Sequence, residues 1–104
     1  MSDHRRYRTL VELPEYTAEF DSIISKHSED VIGPVLRGLL SGIAANPKAY
    51  DRTLWAYHIA KSSSLGLTIP TFRIYFQIQN EDKEDERVLL CWIEEISTIE
   101  EISG

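Results

Sequence analysis

The chain has 104 residues, a single cysteine and a formal net charge of −6. That length suits one domain, and one cysteine excludes an internal disulfide or a cysteine-built zinc cluster. A hydrophobic share of 42% with 27% charged residues describes an ordinary globular chain and excludes a disordered one.

A domain of this size buries roughly 60–70% of the surface its unfolded chain exposes. A functional site is therefore expected on a surface or in a shallow groove. No apolar run approaches the ~20 residues of a membrane span. "MSDHRRYR" carries charge with no hydrophobic segment behind it, so it does not read as a secretory signal, and the expected location is the cytoplasm. Residues 1–80 hold nine Lys/Arg against eight Asp/Glu, whereas residues 81–104 hold two against nine. Such an acidic chain lacks a non-specific grip on nucleic acid, although a local basic groove in the first part remains open.

Taken in order, "YRTLVEL" (7–13) reads as a first strand. Pro14 suits the first turn of a helix, where its missing N–H is harmless. Tyr16, Phe20, Ile23, Ile24 and His27 then recur on one helical face. "SEDVIGPVLRGLLSGIAANP" reads as a second helix with Ser28 as N-cap, Asn46-Pro47 as stop and Val31, Val35, Leu39 and Ile43 as its apolar stripe. Gly33-Pro34 predicts a short break in it. The short connection makes the two helices an antiparallel hairpin.

Three strands follow. "TLWAYHIAK" (53–61) is rich in aromatic and β-branched residues. "TFRIYFQIQ" (71–79) alternates, with Phe72, Ile74, Phe76 and Ile78 on one side and Arg73, Tyr75, Gln77 and Gln79 on the other. "RVLLCWIEEI" (87–96) is apolar without alternation as far as Ile93, which predicts a central strand covered on both faces and makes Cys91 a buried, inert thiol. "NEDKEDE" (80–86) is a polar hairpin turn. The segments 1–6 and 98–104 are expected to be flexible ends of one 1–104 domain.

The expected fold is α+β: a four-stranded, mainly antiparallel sheet with an N-terminal helical hairpin on one face, in the order strand-helix-helix-strand-strand-strand. His4, His27 and His58 lack metal-ligand spacing, so no metal site or cofactor is expected. "SSSLG" lacks the pattern of a phosphate-binding loop. Trp55, Tyr57 and Trp92 read first as packing or subunit-contact aromatics and second as bases' stacking partners.

This element order, the length and the phrase "YHIAKSSS…TFRIYFQI" resemble the RelE/ParE-type toxins of bacterial toxin–antitoxin pairs. In that family the third strand carries an Arg two residues before an aromatic or Arg, here Arg73 with Tyr75. The preceding strand often ends in basic residues, here Lys61 with His58 as a further candidate, and "NP" after the second helix is Asn46-Pro47. The likeness covers residues 7–97. It implies a ribosome-dependent endoribonuclease that cleaves mRNA without a metal, in which a 2′-hydroxyl attacks the adjacent phosphate. Arg73 would hold the phosphate through its donor fork and Lys61 would neutralise charge. Tyr75 would stack or transfer a proton, His58 would be a candidate base, and Arg52 and Tyr57 would contact RNA.

The alternative implied by the resemblance is a non-catalytic protein-binding module, acting on an antitoxin or a gyrase-type partner. Expected partners are a cognate antitoxin, ribosome-bound mRNA if the chain is active, and a second copy in a homodimer, with no membrane. Active members tend to be basic and to carry Arg or Lys and a Tyr just after the last strand. This chain has "EEISTIEEIS" there, with Glu94, Glu95, Glu100 and Glu101. Register matters as well. If Ile59 lies opposite Arg73, then Lys61, Arg73 and Tyr75 share a face. A slip of one residue puts His58 beside Arg73 instead.

Overall fold

Leu13 leaves the first strand in an extended conformation and Pro14 starts α1 (Pro14–Lys26) directly after it. The computed structural model describes residues 7–27, 29–52, 57–62 and 71–96. The expectations for Ser28, for 53–56 with Trp55, for the loop from 63 to 70 and for both chain ends lie outside the described residues. The other elements are β1 (Thr9–Glu12), α2 (Glu29–Ala45), a 3-10 turn at Pro47–Ala49, β2 (His58–Lys61), β3 (Thr71–Gln79) and β4 (Arg87–Ile96). The described part of the predicted strand 53–61 is thus shorter, and the first strand spans four residues rather than seven. The third and fourth strands lie where the sequence places them.

The face of α1 follows its spacing. Tyr16 and Ile23 are fully buried, with Phe20 and Ile24 packed against them. On α2 two expectations are corrected. The helix runs unbroken through Pro34. The missing N–H falls early, where it would serve the carbonyl of Asp30, an exposed first-turn residue that water can satisfy. The apolar stripe holds at Leu39 and Ile43, with Val35 packed against the core, but not at Val31. Ile32, Leu36, Leu39 and Ile43 are buried, while Val31 is exposed. At Gly42 a Cβ would stand 2.5 Å from the Tyr50 hydroxyl, so glycine lets Tyr50 lie over the helix and meet Phe76 edge-on at 5.9 Å.

The sheet order is β1-β4-β3-β2, with β1 parallel to β4 and the other two pairs antiparallel. Phe72, Ile74, Phe76, Ala60, Val88, Leu90 and Ile93 face the helices and form one core with them. This is the α+β architecture expected, with both helices on one face. Ser62 ends β2: its N–H donates to the Phe72 carbonyl, and its Oγ accepts the Phe72 N–H in return.

β4 is central but, contrary to the expectation, both described helices pack on one face and no described element covers the other. Tyr75 lies opposite Trp92 and Phe76 opposite Leu90, so Cys91 is an extra residue in a β-bulge. The bulge brings Leu90 and Ile93 to the same face although they are three positions apart. It thereby produces the non-alternating apolar run. Cys91 is half-buried rather than buried, and burial raises its thiol pKa. No helix among the described residues is long and apolar enough to cross a membrane.

Charge fastens the ends together. Arg8, just before β1, donates from its backbone to the Ala44 carbonyl and from its guanidinium to the Ala45 carbonyl at 2.6 Å. It supplies the cation that the last turn of α2 lacks. Its Nε pairs with Glu86 at 2.8 Å. Lys48 joins Asp82 and lies 3.6 Å from Glu86. In the hairpin turn, Asn80 and Asp82 adopt positive φ of 57° and 67°, a conformation that short polar side chains tolerate.

Candidate functional site on the open sheet face

Alternation along each strand sends one set of side chains to the helices and the other to the uncovered face. Register then arranges the second set in rows across the sheet. Lys61, Arg73 and Glu94 form a charged row, and Ile59, Tyr75 and Trp92 form an aromatic one. Gln77, Leu89 and Val11 follow, then Gln79, Arg87 and Thr9. Trp92 is 41% exposed. Two apolar or aromatic rows thus lie between two polar ones.

Lys61 sits directly opposite Arg73, and Ile59 opposite Tyr75. The pairing differs by two residues from the one considered from sequence, so the faces are unchanged. Lys61, Arg73 and Tyr75 do come together. His58 does not join them: it lies opposite Phe76, on the helix side, 7% exposed. Its ring stacks on Phe76 with centroids 5.3 Å apart. Burial lowers its pKa, with Arg52 adding to the effect. A strand's period of two makes one histidine unable to serve the open face while its neighbour Ile59 does. Arg52 is exposed and bridges to His58. Both line a recess of about 340 Å³ with Gln77, Gln79 and Glu81. Tyr57 is half-buried just before β2.

The decisive neighbour of Arg73 is Glu94, expected only as one of the acids at the end of the last strand. Glu94 Oε2 accepts from Arg73 Nη2 at 2.7 Å and from the Tyr75 hydroxyl at 2.6 Å. Both distances fit charge-assisted bonds. The bond to Glu94 raises the Tyr75 pKa above its ordinary value of 10.0, so the phenol is held as a donor, which opposes a role as a base. Arg73 Nε is buried without a hydrogen-bond partner. A carboxylate is therefore in direct contact with Arg73, expected to hold phosphate, and with Tyr75, expected to stack or transfer a proton, and it partly neutralises the local basic groove that the sequence left open.

A recess of about 580 Å³ lies at the far end of β3 from Arg73. It is lined by residues including Tyr7, Lys48, Asp82 and Lys83. Among the described residues no cluster of His, Cys, Asp or Glu is arranged to hold a metal. The polar turn 80–86 is in part structural: Asp82 and Glu86 are engaged by Lys48 and Arg8. No local signal exposes that cluster, because Arg8 and Glu86 are 78 positions apart. Comparison with family models, with curated proteins and with solved structures finds no match for this chain.

Proposed function

We propose that this chain is a non-catalytic protein-binding module with the RelE/ParE-like element order, working through its open sheet face. The observation that carries this reading is the Glu94 carboxylate seated on both Arg73 and Tyr75. RNA binding there would set phosphate against a fixed negative charge in contact with its intended ligands. The rows on this face also have the anatomy of a protein interface, with aromatic and aliphatic side chains inside and charged ones outside. The partner in this reading is a protein segment laid over the sheet, as an antitoxin or a gyrase-type target would supply.

The second reading, a metal-independent endoribonuclease acting on ribosome-bound mRNA, is favoured by one observation: Lys61, Arg73 and Tyr75 share a face. It requires Glu94 to leave Arg73. The two readings part in one set of measurements. The chain and its Arg73→Ala variant are expressed in bacteria and incubated with translating ribosomes. A photocrosslinking residue is placed at Trp92 and, as a control, at exposed Ser41 on α2. The expected result is intact mRNA, no Arg73-dependent growth arrest, and a defined protein adduct from position 92 only. Cleavage of mRNA that disappears in Arg73→Ala would replace this reading with the nuclease.

A further inference from the structure

The ring of His58 lies almost flat on Phe76, with an interplanar angle of 17°, and the residue is buried. Its Nδ1 is enclosed and has no hydrogen-bond partner. A buried polar atom left unpaired is rare enough to need a reason. Beside the ring lies the recess of about 340 Å³, lined by Arg52 from the segment before β2 and by Glu81 of the β3–β4 turn. Both residues are exposed, and both act on the ring by charge, Arg52 against a proton on it and Glu81 in favour.

Protonation turns both ring nitrogens into donors. Whichever tautomer the neutral ring adopts, the cation would hold an N–H enclosed without an acceptor, close to a guanidinium. A buried unpaired charge costs far more than the buried neutral group. Turned into the recess, the same cation would meet water and the Glu81 carboxylate. The ring thus has two places, neutral on Phe76 and charged in the recess. The move has a consequence for the backbone. His58 opens β2 and is bridged on its outer side to Arg52, and the Ile59 N–H donates to the Asp51 carbonyl at 2.9 Å. Those bonds close the sheet edge at the start of β2, next to the side chain that would leave.

We infer that His58 is an acid-sensitive latch: on protonation its ring leaves Phe76 for the recess and Glu81, and the edge formed by residues 51–52 and the start of β2 loosens. The inference is independent of what the open sheet face binds. Burial first, and Arg52 second, hold the folded-state pKa below its ordinary 6.5. The latched state therefore binds the proton less readily than the released or unfolded one. The latch is whole above about pH 6.5 and is lost as pH falls through that value towards the lowered folded one. Glu86 responds only at lower pH, below its ordinary 4.5.

The test follows histidine rings and backbone amides of the labelled full chain by NMR from about pH 8 to about pH 5. His58 should titrate below 6.5 in one step. In that step its ring should lose contact with Phe76, and exchange of the Ile59 amide, corrected for its intrinsic pH dependence, should quicken about tenfold. Amides that pair β3 with β4 should keep their protection. Glu81→Gln, at an exposed site, removes the outer acceptor and should lower the His58 midpoint further, whereas Arg52→Gln should raise it. His58→Phe keeps a flat ring on Phe76 that cannot titrate, and should leave Ile59 exchange indifferent to acid. A ring that takes up its proton while still against Phe76 overturns the latch, as does acid opening of Ile59 that persists in His58→Phe. Loss of protection throughout the sheet over the same range overturns it too, since the whole fold, and not one edge, would then be melting. Should His58→Phe fail to fold, Glu81→Gln decides alone: an unchanged or raised His58 midpoint there overturns the latch.

Discussion

Two glutamates eight positions apart each hold an arginine, and they differ in almost every other respect. Glu86 is 7% exposed in its side chain, pairs with Arg8, accepts the Asp82 amide at 3.0 Å and lies near Lys48. Its partners come from the chain before β1, the turn after α2 and the β3–β4 turn, which only folding brings together. Glu94 is 33% exposed, is served from within one hairpin, and loads both bonds on one oxygen. The first arrangement is closed, with each oxygen engaged by a different donor. The second has an idle acceptor and a neighbouring donor, Arg73 Nε, that lacks a partner. A carboxylate that locks the fold and one that can exchange partners are separated by those features, and not by residue type.

The contrast is tested most severely at Glu86. Glu86→Ala leaves Arg8 and Lys48 without their shared acid and should cost about 2–3 kcal/mol, lowering the melting temperature by roughly 10 °C. A melt within two degrees of wild type would erase the distinction drawn above. The amide of Asp82, then Arg8, hold the Glu86 pKa below its ordinary 4.5. The unfolded chain therefore binds this proton more readily. The stability from Glu86 is complete above about pH 4.5 and is lost as pH falls through the depressed folded value. Glu86→Gln should flatten that part of an acid-denaturation curve.

Next in size is Arg8→Gln, which removes the guanidinium from both Glu86 and the Ala45 carbonyl. A loss of about 1–2 kcal/mol is expected from one charged bond and a weakened helix end, read by denaturant unfolding with an unchanged slope. At the other glutamate the effect shrinks. Glu94→Gln should alter stability by less than about 1 kcal/mol, because a half-exposed pair gains little over its hydrated parts. A larger loss would show that Glu94 belongs with Glu86 as a fold-holding group.

Much of this frame was legible in the sequence, and the failures have physical causes. β3 shows its faces because Phe72, Ile74 and Phe76 alternate with Arg73 and Tyr75 over uninterrupted pairing with β2. β4 hides its faces because the bulge at Cys91 adds a residue with no counterpart on β3. The same bulge conceals the partner of Arg73. Counting back from Gln79 opposite Arg87 without it would pair Arg73 with Ile93, and the extra residue substitutes Glu94. On α2 the expected stripe holds at Leu39 and Ile43 and fails only at its start, because Val31 and Ile32 are equally apolar and only packing chooses Ile32. His58 could not be assigned from spacing, since parity decides its face and a loop as long as 62–70 does not set parity.

The smallest effect is the most specific probe of the open face. Tyr75 titrates above 10.0 chiefly because its hydroxyl donates to Glu94, with burial and the carboxylate's charge acting the same way and Arg73 opposing them. The folded state holds the phenolic proton more tightly than the unfolded chain. The associated stability is therefore present below about pH 10 and is lost as pH rises through the folded value. Glu94→Gln removes the charged acceptor while leaving Arg73 in place, so the Tyr75 titration should move down, and Arg73→Gln should move it up. Following the Tyr75 ring resonances from neutral to alkaline pH measures both shifts with little change in stability. If the two substitutions move the midpoint in the same direction, or neither moves it, then Tyr75, Arg73 and Glu94 do not share a carboxylate, and Glu94 Oε1 has no claim to be the free end of that cluster.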